Sequence, residues 1–217
     1  MSTKKLSIHT LRKNYGLYRL DENYVSNNPL KQFELWMNEA LQMNVKEPNA
    51  MNLSTVTQNR RPSSRIVLLR GFDKKGFVFY TNYLSVKGHN LASNPFAALT
   101  FFWPELEKQV RIEGKVMKVS KAISDAYFNS RPRESQTGAW ASSQSEVLKN
   151  RGELEEMFEN LTEKFKGKPI PRPKYWGGYC LIPDKIEFWQ GRSNRLHDRI
   201  LYEKLKRDRW KISRLAP

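Results

Sequence analysis

A single cysteine, Cys180, stands among 217 residues, so no internal disulfide framework can form and no metal site can rest on paired thiolates. That usage suits a reducing compartment, and the cytoplasm is the expected location. Cys180 itself reads as a small buried apolar residue in a strand. Histidine is scarce as well: His9, His89 and His197 show no metal-ligand spacing, and no metal is expected. No stretch approaches the roughly 18 uninterrupted apolar residues of a membrane helix. The basic, polar Met1–Tyr15 has no apolar segment behind it, so no secretory leader is expected either. The glycine fingerprint of dinucleotide folds, Gly-x-Gly-x-x-Gly, is missing, as are repeats and low-complexity tracts. Acidic residues are outnumbered, 22 against 38 basic ones, for a formal charge of +16. Such an excess serves nucleic acid, small phosphorylated ligands or a plain solvated surface, and charge alone does not choose among them.

What is present is the material of a packed globule: 39% apolar residues, with six Trp, nine Tyr and eleven Phe. One domain with one sizeable core is expected. Asn28-Pro29 opens a helix whose buried face takes Phe33, Trp36, Met37, Ala40 and Leu41. From Met51 to Val119 the signals are mostly β. Ser64–Arg70 and Phe77–Thr81 are strands, the latter following the turn Asp73-Lys-Lys-Gly76. Ser85–Asn94 is a short helix, and Ala97–Trp103 and Gln109–Val119 are two further strands. Ser120 caps a helix running to about Ser130, and a longer amphipathic helix begins near Val147 with Leu154, Phe158, Leu161 and Phe165 on one stripe. After the rigid Lys168–Pro173 linker come strands at Trp176–Ile182, Lys185–Gln190, Leu196–Leu205 and Trp210–Leu215. Many short strands with few helices point to an α+β fold built on a closed or partly closed barrel.

Three stretches carry polar groups that a bland fold does not require. Arg65-Ile-Val-Leu-Leu-Arg70 puts an arginine at each end of an aliphatic strand. Five apart, the two point to opposite faces, each serving its own anion or simply snorkelling to water. Tyr127 and Arg131 share a helix face, and Pro132 stops that helix so that Ser135 folds back. The result is either a phosphate cradle or an ordinary helix end. In Arg195-Leu-His-Asp-Arg199 the basic groups alternate; strand periodicity places Arg195, His197 and Arg199 on one face, against a ligand or along a solvated edge. None of the three holds a nucleophile–base pair, so difficult chemistry falls to an organic cofactor.

The ordered set Arg65-Ile-Val-Leu-Leu, Phe79-Tyr-Thr-Asn, Gln109-Val-Arg-Ile-Glu-Gly, Ser130-Arg-Pro-Arg-Glu-Ser-Gln, Gly138-Ala-Trp-Ala-Ser-Ser-Gln-Ser, Tyr175-Trp-Gly-Gly, Glu187-Phe-Trp-Gln-Gly, Arg195-Leu-His-Asp-Arg and Arg214-Leu-Ala-Pro resembles the pyridoxine/pyridoxamine 5′-phosphate oxidase family. The likeness runs from about Leu11 to Pro217. It implies a homodimeric, Greek-key-like split β-barrel with peripheral helices and bound FMN. The implied activity oxidises pyridoxine or pyridoxamine 5′-phosphate to pyridoxal 5′-phosphate, with O2 reduced to H2O2. Residues 28–217 would form the flavin-binding domain and residues 1–27 a flexible segment able to cover substrate. Neither nucleic acid nor membrane is an expected partner.

By the same resemblance, Arg65 and Lys87 hold the FMN phosphate, with Gln144 and Ser145 adding hydrogen bonds. Further flavin contacts fall on Ile66, Val67, Leu68, Leu69, Arg70, Tyr80, Thr81, Gln109, Trp189 and Arg199. The substrate phosphate falls to Arg70, Tyr127, Arg131 and Ser135, and the segment Arg12, Lys13, Asn14 and Tyr15 closes over it. Arg195, Leu196 and His197 lie at the pyridine ring, Arg195 steering the reacting carbon and His197 supporting orientation. Two positions depart from the family pattern: Arg70 replaces a lysine, and Val86 stands where a basic residue precedes Lys87.

Overall fold

The computed structural model describes residues 13–206 and 209–217; Arg12, expected in the segment covering substrate, lies outside the described residues. Helix α1, Pro29–Gln42, starts where its sequence dictates. Asn28 Oδ1 accepts the Leu30 amide at 2.9 Å, and Pro29 takes a first-turn position where a missing N–H costs nothing. Phe33, Trp36, Met37 and Ala40 are buried, whereas Leu41, expected beside them, is exposed. At 3.6 residues per turn Leu41 sits roughly 80° round from the centre of that stripe, on its edge.

The strands are β1 (Ala50–Val56), β2 (Pro62–Leu68), β3 (Gly71–Asp73), β4 (Gly76–Asn82), β5 (Phe96–Trp103), β6 (Lys108–Lys118), β7 (Trp176–Gln190), β8 (Asp198–Lys204) and β9 (Trp210–Arg214). They pair in the order β2-β1-β5-β6-β7-β4-β3, with β8 on β7 and β9 on β8. Helices α2 (Val86–Ser93), α3 (Lys121–Asn129), α4 (Arg133–Ala141) and α5 (Arg151–Phe165) complete the α+β class expected. Three expectations need correcting. β7 is one continuous strand rather than two, with Pro183 and Asp184 inside its run. Helix α4 was not foreseen, and α5 starts at Arg151, where Asn150 Oδ1 accepts the Glu153 amide at 3.1 Å. Cys180 lies on β7 but is half-buried, its thiol pKa pushed up chiefly by desolvation.

Contacts divide the chain into two compact units. One comprises Asn49–Phe101 and Arg111–Lys185. Its core holds Met51, Leu53, Phe77, Phe79, Leu99, Phe101, Ile112 and Leu181, each essentially inaccessible. Burial of such side chains stabilises by about 1.5–3 kcal/mol apiece before chain entropy is charged against it. A second cluster, Phe128, Ala139, Phe165, Ile170 and Trp176, packs the helices. The other unit takes the chain up to Pro48, Phe102–Val110 and Ile186–Pro217. There Trp36 meets Phe188 edge-on at 5.1 Å, and Phe188 meets Tyr202 at 5.5 Å.

Candidate active site

Within the unit of β1, β2 and β4, a cavity of about 880 Å³ opens between β2, the end of β4, the first turn of α2, the end of α3 and helix α4. Two glycines let it form. A Cβ on Gly88 would lie 2.0 Å from the Tyr83 carbonyl oxygen, so only glycine lets α2 sit close enough to hold Lys87 inward. Gly178 pairs with Tyr80 across β7 and β4, and a Cβ there would strike the Tyr80 ring at 2.8 Å.

The cavity gathers Arg65, Ile66, Val67, Leu68, Arg70, Tyr80, Thr81, Lys87, Tyr127, Arg131, Ser135, Gln144 and Ser145, all singled out in the sequence. Arg65 and Lys87 form one cationic group. Arg65 Nη1 donates to Thr55 Oγ1 at 2.7 Å and to the Ser63 carbonyl at 3.1 Å, and Nη2 donates to Ser63 Oγ at 2.5 Å. Lys87 Nζ donates to Gln144 Oε1 at 2.9 Å, Thr81 Oγ1 at 3.2 Å and Ser85 Oγ at 3.3 Å. Every one of these acceptors is neutral. Desolvation, then the charge of Arg65, lowers the Lys87 ammonium to about 8, and desolvation lowers Arg65 too. Two like charges kept partly dry without a carboxylate form a site for an anion. The Val86 amide donates to Ser145 Oγ at 3.3 Å, so the first turn of α2 faces the same group.

Arg131 and Arg70 form the second group. The Arg131 guanidinium lies 4.7 Å from the centre of the Trp176 ring, and its Nη1 is buried with no hydrogen-bond partner. Its pKa is lowered by burial and by Arg70, with Tyr127 opposing. Tyr127 stacks on Tyr80 at 3.8 Å, giving this side a flat aromatic wall. A buried guanidinium donor without an acceptor fits a dianion presented by a ligand. Arg65 and Arg70, expected on opposite faces, line the same cavity. The alternation stops because β2 ends at Leu68 and, one residue after Leu69 has carried the pairing on to Asn49, the Arg70 amide donates to Val78 of β4 at 2.8 Å. Leu69 itself is buried and does not line the cavity. Ser135 lines the cavity with Tyr127 and Arg131, reaching it from the opening turn of α4, which Pro132 begins.

Lys13, Asn14, Tyr15, Gln109, Trp189, Arg195, Leu196, His197 and Arg199 all belong to the other unit. Expected alternation along Arg195, His197 and Arg199 is not what forms. Ser193–Arg195 is a 3-10 turn in which Asn194 and Arg195 adopt φ of +56° and +61°, and β8 begins only at Asp198. Arg195 and Leu196 are exposed. His197 packs against Trp189 at 4.7 Å and Tyr15 at 5.9 Å, and its Nδ1 accepts the Arg192 amide at 3.0 Å. The acceptor role fixes Nδ1 as unprotonated, and burial followed by Arg195 lowers the imidazole pKa while Asp198 opposes. Arg199 is gripped by Glu187 through two parallel bonds of 2.8 and 3.1 Å, which raise its pKa.

Sequence reasoning missed the support beneath Arg65. Thr55 is fully buried on β1, and its Oγ1 accepts from both Arg65 Nη1 and Asn90 Nδ2, the latter at 2.9 Å. A threonine on a strand carries no local signal of this role. Thr55→Val is expected to leave Asn90 Nδ2 without this acceptor and to loosen Arg65 Nη1, which keeps the Leu53 and Ser63 carbonyls, at about 1–3 kcal/mol. Thermal unfolding should fall by roughly 2–10 °C, and Thr55→Ser should recover most of it. An unchanged midpoint in Thr55→Val would show that Leu53 and Ser63 hold the guanidinium without Thr55.

Residues 37–165 match the family model described as pyridoxamine 5′-phosphate oxidase, and residues 176–217 match the pyridoxine 5′-phosphate oxidase C-terminal dimerisation region. A pyridoxine/pyridoxamine 5′-phosphate oxidase of Gloeothece citriformis is 54% identical over 211 residues, 97% of this chain and 99% of that one. Its counterpart in Paraburkholderia phytofirmans is 51% identical over 212 residues, with 97% and 99% covered. Among solved structures, PhzG from Burkholderia lata, in complex with tetrahydrophenazine-1-carboxylic acid, superposes with a TM-score of 0.88 at 30% identity, covering 94% of this chain and all of that one. A pyridoxamine 5′-phosphate oxidase-related, FMN-binding protein of Nostoc punctiforme, 19% identical with a TM-score of 0.68 over 85% of this chain and 97% of that one, shares the fold. These likenesses bear out the split-barrel fold, and with two family models and relatives above half identical over nearly its whole length, the chain belongs to the pyridoxine/pyridoxamine 5′-phosphate oxidase family.

Proposed function

We propose that this protein oxidises pyridoxine 5′-phosphate or pyridoxamine 5′-phosphate to pyridoxal 5′-phosphate on bound FMN, with O2 reduced to H2O2. The observation that carries the reading is one cavity with two separate cationic groups, Arg65 with Lys87 and Arg70 with Arg131, none of which has an ion-pair partner among the described residues. Two phosphorylated flat molecules need that arrangement. The names of the relatives support the choice of substrate.

The residues fit the flavin. Arg65 and Lys87 would bind its phosphate, Gln144 and Ser145 would add hydrogen bonds, and the β2 residues Ile66 to Leu68 with Tyr80 and Thr81 would line the ring. Gln109, Trp189 and Arg199 are proposed further contacts. When bound, FMN supplies acceptance of a hydride equivalent from the substrate's 4′-carbon and reoxidation by O2. The chain's own part is to bind and orient. Arg131, Arg70, Tyr127 and Ser135 would grip the substrate phosphate, remote binding energy that aligns the reacting carbon. Arg195 would steer that carbon, with His197 supporting the ring. Residues 13–15 would cover the substrate, extending the role proposed for the N-terminal segment. A homodimer is proposed, supported by the match of residues 176–217 to a dimerisation region. No helix among the described residues is long and apolar enough to cross a membrane; a cytoplasmic location is part of this proposal.

Peroxide release with pyridoxamine 5′-phosphate and with pyridoxamine tests the reading. The purified protein should be yellow, and kcat/KM should drop by ~10²–10³-fold without the phosphate. Equal rates on the two compounds, or a colourless protein that takes up no FMN, would contradict it.

A further inference from the structure

Glu107 sits in the turn between β5 and β6 with φ of +54°, a backbone conformation that favours glycine and costs a glutamate about 1–2 kcal/mol. Its carboxylate is nevertheless buried, with only 3% of the side chain accessible. Oε2 accepts two successive amides, Gly16 at 2.7 Å and Leu17 at 3.1 Å. Oε1 lies 3.8 Å from Lys13 Nζ, which also donates to the Pro104 carbonyl at 3.2 Å. Consecutive N–H groups converging on one carboxylate make a strong, directional anchor. The backbone of the same residue grips a second segment. Its carbonyl oxygen accepts the Gly191 amide at 2.7 Å and Gln190 Nε2 at 3.1 Å. Glu107 thereby ties Lys13–Leu17 to the end of β7 and the turn that leads to His197.

The consequence is the placement of Tyr15. Its ring stands edge-on to Trp189 at 5.7 Å and lies against His197 at 5.9 Å. A Cβ on Gly191 would come within 2.7 Å of that ring, so the backbone is bare where Tyr15 passes. With Arg192 N–H on one side and the Tyr15 ring on the other, the His197 imidazole is held in one orientation. We propose that Glu107 is a positioning residue: it clamps Lys13–Leu17 so that Tyr15 fixes His197 for the substrate, without itself touching substrate. This rests on the role proposed above for His197.

Glu107→Gly tests it in the flavin-loaded protein, because glycine suits the left-handed turn and removes only the clamp. Trypsin cleavage between Lys13 and Asn14 should accelerate about tenfold or more as the segment detaches. The kcat for pyridoxamine 5′-phosphate should fall about tenfold with FMN affinity unchanged, and Glu107→Gln should fall between. Unchanged cleavage would overturn the clamp. Accelerated cleavage with unchanged kcat would overturn the link from Tyr15 to His197. Accelerated cleavage in a protein whose wild type is silent on this substrate would sink the oxidase reading while leaving the clamp in place.

Discussion

Arg131→Met is expected to lower kcat/KM for pyridoxamine 5′-phosphate by ~10²–10³-fold, while FMN affinity stays within about twofold. The guanidinium carries a buried Nη1 with no acceptor inside the protein, and it is held over Trp176 rather than over a carboxylate. A buried donor with no acceptor from the protein gains its partner only when a ligand brings one. Methionine preserves the apolar stem while deleting every donor and the guanidinium's contact with Trp176. Activity on dephosphorylated pyridoxamine should hardly change, because that compound has nothing for Arg131 to grip. Steady-state peroxide assays on both compounds check the prediction, and an equal loss on the two would assign Arg131 to folding instead.

Lys87→Met is expected to do the reverse. FMN dissociation, read by quenching of flavin fluorescence, should weaken by about 10²-fold or more, and the protein should lose colour on dilution. The wild type should also show a pH signature. Lys87 is lowered to about 8 from its ordinary 10.5, first by desolvation and then by Arg65. Between about 8 and 10.5 the unfolded chain therefore binds more protons at this position than the folded one. The cost of burying the charge is fully present below 8 and fades as pH rises through that window. An anionic phosphate acts in the opposite direction, since it favours the charged ammonium. FMN affinity should accordingly decline as pH rises past about 8, and Lys87→Met should abolish that decline. A wild-type affinity flat from pH 7 to 9.5 would remove Lys87 from the phosphate site.

The sequence displayed its local devices plainly. Asn28, Ser85 and Ser120 cap α1, α2 and α3 as their side-chain chemistry dictates, and Asp73–Gly76 forms the hairpin turn. Arg65, Lys87 and Arg131 were legible as site residues through the family resemblance and the charge pattern, but their assembly was not. Arg65 and Lys87 come together through Thr55 on β1, which accepts from Arg65 and from Asn90 of α2, the helix that carries the lysine, while Thr81 on β4 and Gln144 beyond α4 hold the ammonium. No periodicity records such a meeting.

Where local rules failed, the backbone had left the assumed geometry. Two left-handed residues, Asn194 and Arg195, break the period of two that had aligned Arg195 with His197 and Arg199. The end of β2 at Leu68 frees Arg70 from the alternation that had separated it from Arg65. Pro132 reads as a terminator from its N-terminal side and as an opener from its C-terminal side, and only the first was visible in the pattern around Arg131. Glu107 was overlooked because a glutamate beside a turn gives no hint that two amides about 90 residues away will close on it.

A crystal structure of the flavin-loaded protein with pyridoxal 5′-phosphate bound is the most direct trial. The flavin's phosphate should contact Arg65 and Lys87, and the vitamin's phosphate should take up the free Nη1 of Arg131, with Ser135 and Tyr127 beside it. Both phosphates on one cationic group, or Arg131 still unmet with the ligand in place, would contradict the division of the cavity into two anion sites.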